Sequence, residues 1–378
     1  MRILINAANV ASAGGWGVLM GLVPAMGLAA GNDELLALVP PGTTARLGET
    51  PPGLRLLEQV RSGPRALWRL LDDFVRLPAL ARSLRPDVCF SITDLAPSDL
   101  GCPHVLLLHN PWVTYRLPRR QVGRSLRDQT IYATYYPARF RRLWPRLSHI
   151  VVQTPVMAAR LGARFGVPAD RVTVIPPGCL LRPGQVPLRE DPITAQAPLR
   201  LFWPARAYPH KNHELLAPLC EELSRQGAGG LVHFFSTIDP ASGRRATRLL
   251  AALEAHADMV TNLGPLSTGE VEHWFDGSDA LFLPTLLESY SLTYLEAAAR
   301  RRPVLTSDRD FARHACGRAG YYFDPADPAD VAGRILALIA DFNAGTVRVP
   351  DPPPADTEAT SWRAVAGRVL EVVRGAHA

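Results

Sequence analysis

The chain has 378 residues, which is more than one ordinary hydrophobic core accommodates, so we expect two domains. Hydrophobic residues make up 47% of the chain and charged residues 20%, which is ordinary for a soluble globular protein. The net charge is +6, and a single lysine, Lys211, stands among the 41 lysine and arginine residues. The five cysteines form no CxxC pair, which argues against a zinc site or a disulfide framework and predicts a cytoplasmic location.

The segment between Arg2 and Asp33 contains no charged side chain, and its length also suits a transmembrane helix or a signal peptide. Glycines and a proline interrupt it, among them Gly14, Gly15, Gly17, Gly21 and Pro24. Such breakers favour a buried strand, a glycine loop and a buried helix over a membrane span. We therefore expect a soluble protein.

Short apolar runs alternate with helical stretches over the first 180 residues. The predicted strands are Ile3–Asn6, Leu35–Pro40, Val88–Ser91, Val105–His109, Ile150–Thr154 and Val172–Pro176. Between them we predict helices such as Arg65–Arg82 and Pro155–Phe165. Strands made of continuous Val/Ile/Leu runs are typical of parallel sheets that are covered on both faces. Residues 1–180 are thus predicted to form an α/β domain with a parallel sheet.

A polar, proline-containing segment, residues 181–198, is interpreted as a linker, after which the pattern restarts. The next predicted strands are Leu199–Pro204, Leu231–Ser236, Asp279–Pro284 and Pro303–Ser307. The helices predicted among them are His213–Gln226, Arg245–His256, Ser291–Arg300 and Pro328–Ile339. A second α/β domain is therefore predicted over residues 199–345. Residues 346–378 are predicted to form a proline-rich connector and a terminal helix that packs back toward the N-terminal domain.

Two glutamates separated by seven residues, Glu288 and Glu296, follow the predicted strand Asp279–Pro284. A helical path of eight residues rises about 12 Å, which suits the reach from a nucleotide ribose to the sugar beyond its diphosphate. The residues after the first glutamate are Ser289, Tyr290, Ser291 and Leu292. A helix start there offers free N–H groups to a diphosphate, and both carboxylates can accept hydrogen bonds from sugar hydroxyls. Two solvated helix glutamates are the alternative.

A second cluster, Arg206 and Lys211, lies in the loop after the predicted strand Leu199–Pro204. Arginine offers a bidentate fork to phosphate, lysine offers a compact charge, and loops of this kind bind ligands in open parallel sheets. That the only lysine falls here favours a phosphate site over a solvated surface residue. Two weaker candidates are the glycine loop with Gly14 and Gly15, which lacks the full dinucleotide fingerprint, and His109 at a strand end, where a structural role is common.

Together these segments resemble the retaining GT-B glycosyltransferases of family 4, the group 1 glycosyltransferases, over nearly the whole chain. The resemblance rests on the E-x7-E pair Glu288/Glu296, the pair Arg206/Lys211, the early Gly14-Gly15, and His109. Further segments that follow in the expected order are Val172–Gly178, Asn262–Gly264, Asp279–Pro284, Pro303–Asp308 and Tyr321–Pro325.

The resemblance implies a GT-B fold of two Rossmann-like, doubly wound parallel-sheet domains with an interdomain cleft. It implies that Arg206 and Lys211 hold the donor diphosphate and stabilise the leaving group. Glu296 would bind the ribose, Glu288 the transferred sugar, and His109 would contact that sugar near the reacting centre. In this family the leaving phosphate itself helps to deprotonate the acceptor, so no dedicated protein base is required. We expect no metal cofactor, because Arg206 and Lys211 supply fixed cations where many other transferases use a metal.

The chain departs from the family pattern at two places in the donor region. Arg301 stands where the family has a glycine, and Tyr290-Ser291 replaces the usual Phe-Gly, which puts the shape of the sugar pocket in doubt. Asp308-Arg309-Asp310 has the spacing of a D-x-D metal motif but falls where the family has a loop after a strand. We interpret it as structural.

The predicted function is retaining transfer of a hexose or deoxyhexose from a nucleotide-diphospho-sugar to a glycan or glycolipid in bacterial surface polysaccharide assembly. The Glu288–Thr293 stretch resembles members that move mannose or rhamnose. A sugar-phosphate synthase, a nucleotide-sugar epimerase and a non-catalytic nucleotide-sugar-binding protein are the alternatives.

The segment Arg116–Arg146 carries nine arginines and one acid, interleaved with Tyr132, Tyr135, Tyr136, Phe140 and Trp144. Basic and aromatic side chains suit an anionic headgroup layer. They also suit nucleic acid, but a nucleotide-sugar site makes a lipid surface, and a polyprenyl-linked acceptor, the better partner. We therefore expect this segment to contact the inner face of the cytoplasmic membrane. An arginine-rich solvated face whose aromatic residues belong to the core is the alternative.

Overall fold

The computed structural model describes residues 1–10, 13–59, 71–92, 95, 99–118, 129–179, 181, 184, 186–351 and 361–377. Its internal contacts divide the chain into two compact units. The first takes its described residues from Met1–Arg116, Ser125–Leu180 and Asp356–Ala378, and the second from Leu117–Arg124 and Leu181–Ala355. Each unit contains one parallel sheet, so the predicted two-domain α/β fold class is confirmed.

The first unit is built on a seven-stranded sheet. Its strands are β1 (Arg2–Asn6), β2 (Glu34–Val39), β3 (Leu54–Glu58), β4 (Val88–Ser91), β5 (His104–Leu108), β6 (His149–Val152) and β7 (Val172–Val174). Their order is β3-β2-β1-β4-β5-β6-β7, and every neighbouring pair is parallel. This is a doubly wound order whose direction reverses between β1 and β4. The central strands are buried along nearly their whole length, which explains their uninterrupted apolar sequences.

In the described part of the first unit, six helices connect these strands. They are α1 (Ala13–Ala29), α2 (Thr43–Leu47), α3 (Leu77–Leu84), α4 (Pro111–Thr114), α5 (Tyr136–Leu143) and α6 (Pro155–Phe165). Two π-helical turns, Asp72–Arg76 and Gln129–Tyr135, immediately precede α3 and α5. Side-chain caps fix two of the helix starts, since Asn110 accepts from the backbone N–H of Trp112 and Thr154 from that of Met157.

The second unit repeats the same plan with six strands. They are β8 (Leu199–Trp203), β9 (Val232–Ser236), β10 (Val260–Asn262), β11 (Ala280–Leu283), β12 (Val304–Ser307) and β13 (Tyr321–Phe323). The order is β10-β9-β8-β11-β12-β13, again with parallel neighbours, and the direction reverses between β8 and β11. The helices are α7 (Leu216–Arg225), α8 (Arg244–Leu253), α9 (Thr268–Gly277), α10 (Leu292–Ala299), α11 (Asp310–Cys316) and α12 (Pro328–Ala344).

The chain then returns to the first unit through α13 (Trp362–Gly375), whose apolar residues enter the core under α1. Val365, Val369 and Val373 are buried there. Arg368 also donates to the carbonyl of Val174 at 2.8 Å, which ties the helix to the end of the sheet.

Several sequence-based boundaries were wrong. The predicted glycine loop with Gly14 and Gly15 is the first turn of α1, because tertiary packing of this apolar helix overrides the low helix propensity of glycine. Of the predicted helix Arg65–Arg82, residues 65–70 lie outside the described part, and the remainder is a π-helical turn followed by α3. In the described part of the chain no helix has both the length and the apolar character needed to cross a membrane.

Candidate functional site

The candidate site of the second unit lies where its sheet changes direction. β8 and β11 are hydrogen-bonded neighbours there, and the loops that follow them carry Arg206 with Lys211 and Glu288, respectively. The carboxyl ends of parallel strands lie at one edge of a sheet, and a doubly wound sheet binds its ligands at this reversal point. The topology therefore brings together the two clusters that the sequence singled out separately.

The loop after β8 is held in a defined conformation. Pro209–Lys211 forms a 3-10 turn, and Asn212 follows it in the left-handed region with φ 62°. The amide of Asn212 donates to the carbonyl of Pro325 at 2.9 Å, which fastens the loop to the segment after β13. Lys211 thus projects from a structured turn rather than from a mobile surface position.

An ion pair joins the two loops. Nζ of Lys211 lies 2.5 Å from Oε1 of Glu288, whose side chain is only 9% exposed. The carbonyl of His210 accepts from the N–H of Leu286 at 2.7 Å and from the hydroxyl of Thr285 at 3.0 Å. A charge-assisted hydrogen bond in these surroundings is stronger than one between exposed groups, so the lysine and the first glutamate form a pre-organised unit.

Glu296 lies on α10, and the prediction of a helical path between the two glutamates was wrong over its first half. The helix begins only at Leu292, because residues 288–291 form the turn that leaves β11. Burial raises the pKa of Glu296 to about 7, and the positive charge of Lys211 opposes that shift. One lysine charge therefore acts on both glutamates, and Glu296 titrates near neutral pH.

Both departures from the family pattern occupy backbone positions that favour glycine. Ser291 has φ 67° immediately before α10, and Arg301 has φ 53° immediately after it. At the end of the helix, the N–H of Arg301 bonds to the carbonyl of Ala298 and that of Arg302 to the carbonyl of Ala297, which is a Schellman motif. The left-handed conformation is retained although the glycine is absent, so strain is stored at both ends of the helix.

Sequence reasoning missed a third cation near Lys211. Arg245, at the start of α8, donates to the carboxylate of Glu214. Burial, together with the charges of Arg245 and Lys211, lowers the pKa of His213 to about 3. Burial likewise lowers the pKa of His210, with contributions from the same two cations. Both imidazoles are therefore neutral at physiological pH, and the positive charge near this loop comes from lysine and arginine.

The order of the strands in the second sheet could have indicated that Arg245 lies near Lys211. The residue follows β9, which pairs with β8, so its loop opens at the same edge of the sheet as the Lys211 loop. Arg206 is exposed in its loop, where its carbonyl accepts from the N–H of Tyr208 at 2.7 Å. Ser289 and Tyr290 are half-buried in the turn between Glu288 and α10.

The remaining sequence candidates belong to the first unit. His109 is half-buried directly after β5, and Gly14 and Gly15 open α1. The second unit by itself thus brings Arg206, Lys211 and the two glutamates to one sheet edge. His109, Gly14 and Gly15 lie outside this unit.

The D-x-D segment has structural partners. Asp308 forms an ion pair with Arg313 at 2.5 Å, and Asp310 is the first residue of α11. Within the described ranges, no group of three or more His, Cys, Asp or Glu side chains is placed to hold a metal ion.

Family models match both halves of the chain. The model for glycosyltransferase family 4 matches residues 26–179, and the model for glycosyl transferases group 1 matches residues 199–341. The second match includes Arg206, Lys211, Glu288 and Glu296.

The chain is also similar to D-inositol 3-phosphate glycosyltransferases. That of Pseudarthrobacter chlorophenolicus is 28% identical over 202 residues, which cover 51% of this chain and 48% of the relative. That of Paenarthrobacter aurescens is 27% identical over 254 residues, which cover 62% of this chain and 59% of the relative. The chain thus spans about half the length of the curated relatives it matches.

Solved structures share the fold across the whole chain. Sucrose-phosphate synthase from Thermosynechococcus elongatus superposes with a TM-score of 0.69 at 15% identity, covering 99% of this chain and 98% of that one. Anabaena HepE in complex with UDP-glucose gives a TM-score of 0.66 at 14% identity, covering 100% and 98%. With both halves matched by family models and both sheets wound as in these structures, the chain belongs to the family 4, group 1 glycosyltransferases and has the GT-B fold.

Proposed function

We propose that the protein transfers a hexose or deoxyhexose from a nucleotide-diphospho-sugar to an acceptor, with retention of the anomeric configuration. The observation that carries this proposal is the ion pair of Lys211 with Glu288 at the reversal point of the second sheet. Arg206 and Glu296 lie at the same edge, so cations for a diphosphate and carboxylates for two sugars are available together. Fold neighbours with bound UDP-glucose are consistent with this choice of donor.

The cations would act on the leaving group. Arg206 and Lys211 would bind the diphosphate, and the N-terminal turn of α10, at Leu292, would add backbone N–H groups. Negative charge develops on the leaving diphosphate in the transition state, and fixed positive charges there lower the barrier electrostatically. Because these cations are side chains, we propose that the reaction needs no metal cofactor.

The carboxylates would position the donor. Glu296 would accept hydrogen bonds from the ribose hydroxyls, and Glu288, with Ser289 and Tyr290, would contact the transferred sugar. The resemblance to the family extends the proposal to His109 of the first unit as a contact of the donor sugar. It extends equally to Gly14 and Gly15, whose N–H groups open α1 and suit an anion.

The acceptor we propose is a glycan or a polyprenyl-linked glycolipid of a bacterial surface polysaccharide. The names of the sequence relatives favour a second candidate, a soluble phosphorylated polyol, since the matched proteins are inositol 3-phosphate glycosyltransferases. The donor chemistry is the same for both, and only the acceptor differs. Radiolabelled donor offered with sugar phosphates, inositol phosphates and lipid-linked glycans separates the two by which product carries the label.

Thermal-shift screening against UDP, GDP, dTDP and ADP identifies the nucleotide, because a ligand that binds only the folded state raises its stability by mass action. We expect one of them to raise the melting temperature in wild type and to do so much less in Lys211→Ala.

Transfer should persist in EDTA and give a retained anomer. Loss of transfer in EDTA that manganese restores would overturn the metal-independent mechanism. Nucleotide binding without transfer to any acceptor would support a binding protein instead.

A further inference from the structure

An exposed apolar cluster lies on the first unit. Among the described residues, five large hydrophobic side chains are exposed, and four of them belong to two neighbouring segments. These four are Leu71, Phe74, Val75 and Tyr135, with exposures of 38%, 51%, 56% and 37%. We refer to these four side chains as the Phe74 face.

Arg139 of α5 joins the two segments. It forms an ion pair with Asp73 at 2.9 Å and lies over the ring of Phe74 at 4.8 Å from its centroid. Tyr135 precedes Arg139 by four residues along continuous helical turns, a spacing that places both on one side. The ion pair and the ring contact therefore place the turn Asp72–Arg76 against α5, some 60 positions further along the chain, so the four side chains lie on adjoining segments.

The exposed charges of the two segments that carry this face have one sign. Both acids of the first segment are buried, Asp72 beside Arg76 at 3.4 Å and Asp73 beside Arg139. Across residues 71–85 and 129–146, every exposed charged side chain is an arginine. These are Arg76, Arg82, Arg85, Arg141, Arg142 and Arg146. A cluster of exposed apolar side chains on segments whose exposed charges are all positive is a candidate interaction site.

The structure changes the sequence-based hypothesis for this region. Tyr136 and Phe140 are buried, and Tyr132 stacks on Trp112 with ring centroids 4.6 Å apart, so these aromatic residues belong to the fold. Tyr136 and Phe140 thus fit the alternative in which aromatic residues belong to the core, whereas Tyr135 is exposed and Trp144 is half-buried, and membrane contact by the basic segment stays a prediction. Residues 119–128 of the basic segment lie outside the described part. The exposed apolar groups come instead from the π-helical turn Asp72–Arg76 and its flank, which the sequence pattern did not single out.

We propose that the Phe74 face inserts into the headgroup layer of an anionic bilayer while the surrounding arginines bind lipid phosphates. Exposed apolar side chains gain free energy by leaving water, and each nearby arginine adds an attraction to an anionic leaflet. A protein partner would more typically meet a rim of mixed charge. Nucleic acid offers phosphates but no apolar layer for Leu71 and Val75. The proposal is independent of the donor site, since every residue in it belongs to the first unit.

Co-sedimentation with vesicles tests the proposal. One set of vesicles is phosphatidylcholine, and the other contains 30% phosphatidylglycerol, both at low salt and in 0.5 M NaCl. We expect binding to the anionic vesicles at low salt, little binding to the neutral ones, and loss of binding in high salt. The double variant Arg141→Gln/Arg142→Gln should bind roughly 25-fold more weakly, at about fivefold for each arginine.

Two further variants separate insertion from simple charge attraction. Val75→Ser should weaken vesicle binding several-fold without any change in charge, because it removes an exposed apolar group. Arg225→Gln/Arg248→Gln in the second unit loses the same charge as the arginine pair and should bind like wild type. Melting temperatures, and stabilisation by the nucleotide found in the screen, should be unchanged in all variants, so a failure here is distinct from a failure of the donor site.

Several outcomes would overturn the proposal. They are equal binding to neutral and anionic vesicles, no binding to either, or full binding by Val75→Ser. Retention on an immobilised single-stranded oligonucleotide without vesicle binding would identify nucleic acid as the partner instead.

Discussion

Lys211 has two carboxylate neighbours and one positive charge. Glu288 forms an ion pair with Lys211 at 2.5 Å, while Glu296 interacts with that charge by longer-range electrostatics. Burial then raises the pKa of Glu296 to about 7, because its ionised form is poorly solvated. In the proposed donor complex this balance would change, since a diphosphate would compete with Glu288 for Lys211 and ribose hydroxyls would stabilise the ionised form of Glu296.

The pKa of Glu296 predicts a pH dependence of donor binding. If the ribose hydroxyls donate to the carboxylate, affinity for the nucleotide-sugar rises with pH and levels off above the pKa of about 7. We expect an increase of about tenfold between pH 6 and pH 8, which follows the ionised fraction of a group with this pKa. Calorimetric titration with an intact nucleotide-sugar measures it, because its diphosphate has no group that titrates in this range.

Glu296→Gln is the matched control for that experiment. The amide cannot titrate, so its affinity should be lower than that of wild type at pH 8 and flat with pH. Glu296→Gln should also change the pH dependence of stability. Folding raises the pKa of Glu296 from its ordinary 4.5 to about 7, so this residue makes the free energy of unfolding of wild type fall as pH rises between these two values, and the variant lacks this contribution. A wild-type binding profile as flat as that of the variant would refute the assignment of Glu296 as a carboxylate ligand.

Arg301 and Ser291 show how a departure from the family pattern is accommodated. Each keeps the left-handed backbone that glycine would adopt without strain, at an expected cost of about 1–2 kcal/mol for a residue with a Cβ. Arg301 is exposed, so its replacement tests the backbone alone.

Arg301→Gly should therefore stabilise the protein by about 1 kcal/mol in urea unfolding, because strain is relieved although the unfolded chain gains entropy. Arg301→Ala removes the same side chain but keeps the Cβ, so it should match wild type. Equal stabilisation by both variants would show that the side chain, and not the backbone, is unfavourable. Ser291→Gly should stabilise similarly, and any change in donor affinity there would report on the turn after Glu288.

At the scale of elements, α13 packs against α1 through a close contact of an indole with a glycine. A Cβ built on Gly21 would lie 2.2 Å from Cε2 of Trp362, and one on Gly178 would lie 2.7 Å from Cδ2 of the same ring. Glycine at position 21 therefore serves the packing of the C-terminal helix, which outweighs its low helix propensity.

Gly21→Ala should destabilise the first unit by about 1–3 kcal/mol, because the added methyl group overpacks the indole. Gly367→Ala in α13, where a Cβ meets nothing within 4 Å, should instead stabilise by up to about 1 kcal/mol through helix propensity. Urea unfolding followed by circular dichroism measures both. The packing argument fails if the two variants change stability equally. Trp362→Leu combined with Gly21→Ala should recover part of the loss, since neighbouring substitutions are not additive.

Most strands could be predicted from the sequence, because strands buried on both faces are continuous apolar runs. The strand Leu54–Glu58 was missed since it is an edge strand whose residues are only partly buried and include an exposed arginine. The start of α1 was also missed, because the low helix propensity of Gly14, Gly15 and Gly17 favours a loop, and the contact of Gly21 with Trp362, which packs this helix, joins positions more than 300 residues apart. Local pattern and composition carry no trace of such a contact.

The candidate site could be predicted only in part, because contacts between distant positions in the chain leave no local sequence pattern. Lys211 and Glu288 were found as separate clusters from composition and spacing, but their ion pair depends on β8 and β11 being neighbours. Arg245 was missed, since its relevance follows from the pairing of β9 with β8 rather than from any motif. The Phe74 face was missed because Leu71 and Val75 fit the apolar pattern of an ordinary buried helix.

At the scale of the whole molecule, the same doubly wound topology occurs twice, but the candidate donor-binding residues are not distributed equally between the two units. The second sheet gathers the cations and both glutamates at its reversal point. The first unit contributes His109, the helix start at Gly14 and the exposed Phe74 face. We infer that donor binding is a property of the second unit and that contact with the acceptor or its membrane is a property of the first.

The central claim is that Lys211 binds the donor diphosphate. Calorimetric affinity for the nucleoside diphosphate selected in the screen, compared among wild type, Lys211→Ala and Lys211→Arg, tests it most directly. We predict a loss of about 10- to 100-fold for Lys211→Ala, as expected for one charged hydrogen bond. Lys211→Arg should recover only part of the loss, because a planar guanidinium with delocalised charge does not reproduce the compact ammonium contact with Glu288. Arg225→Gln should match wild type, and Lys211→Ala binding as tightly as wild type would contradict the account.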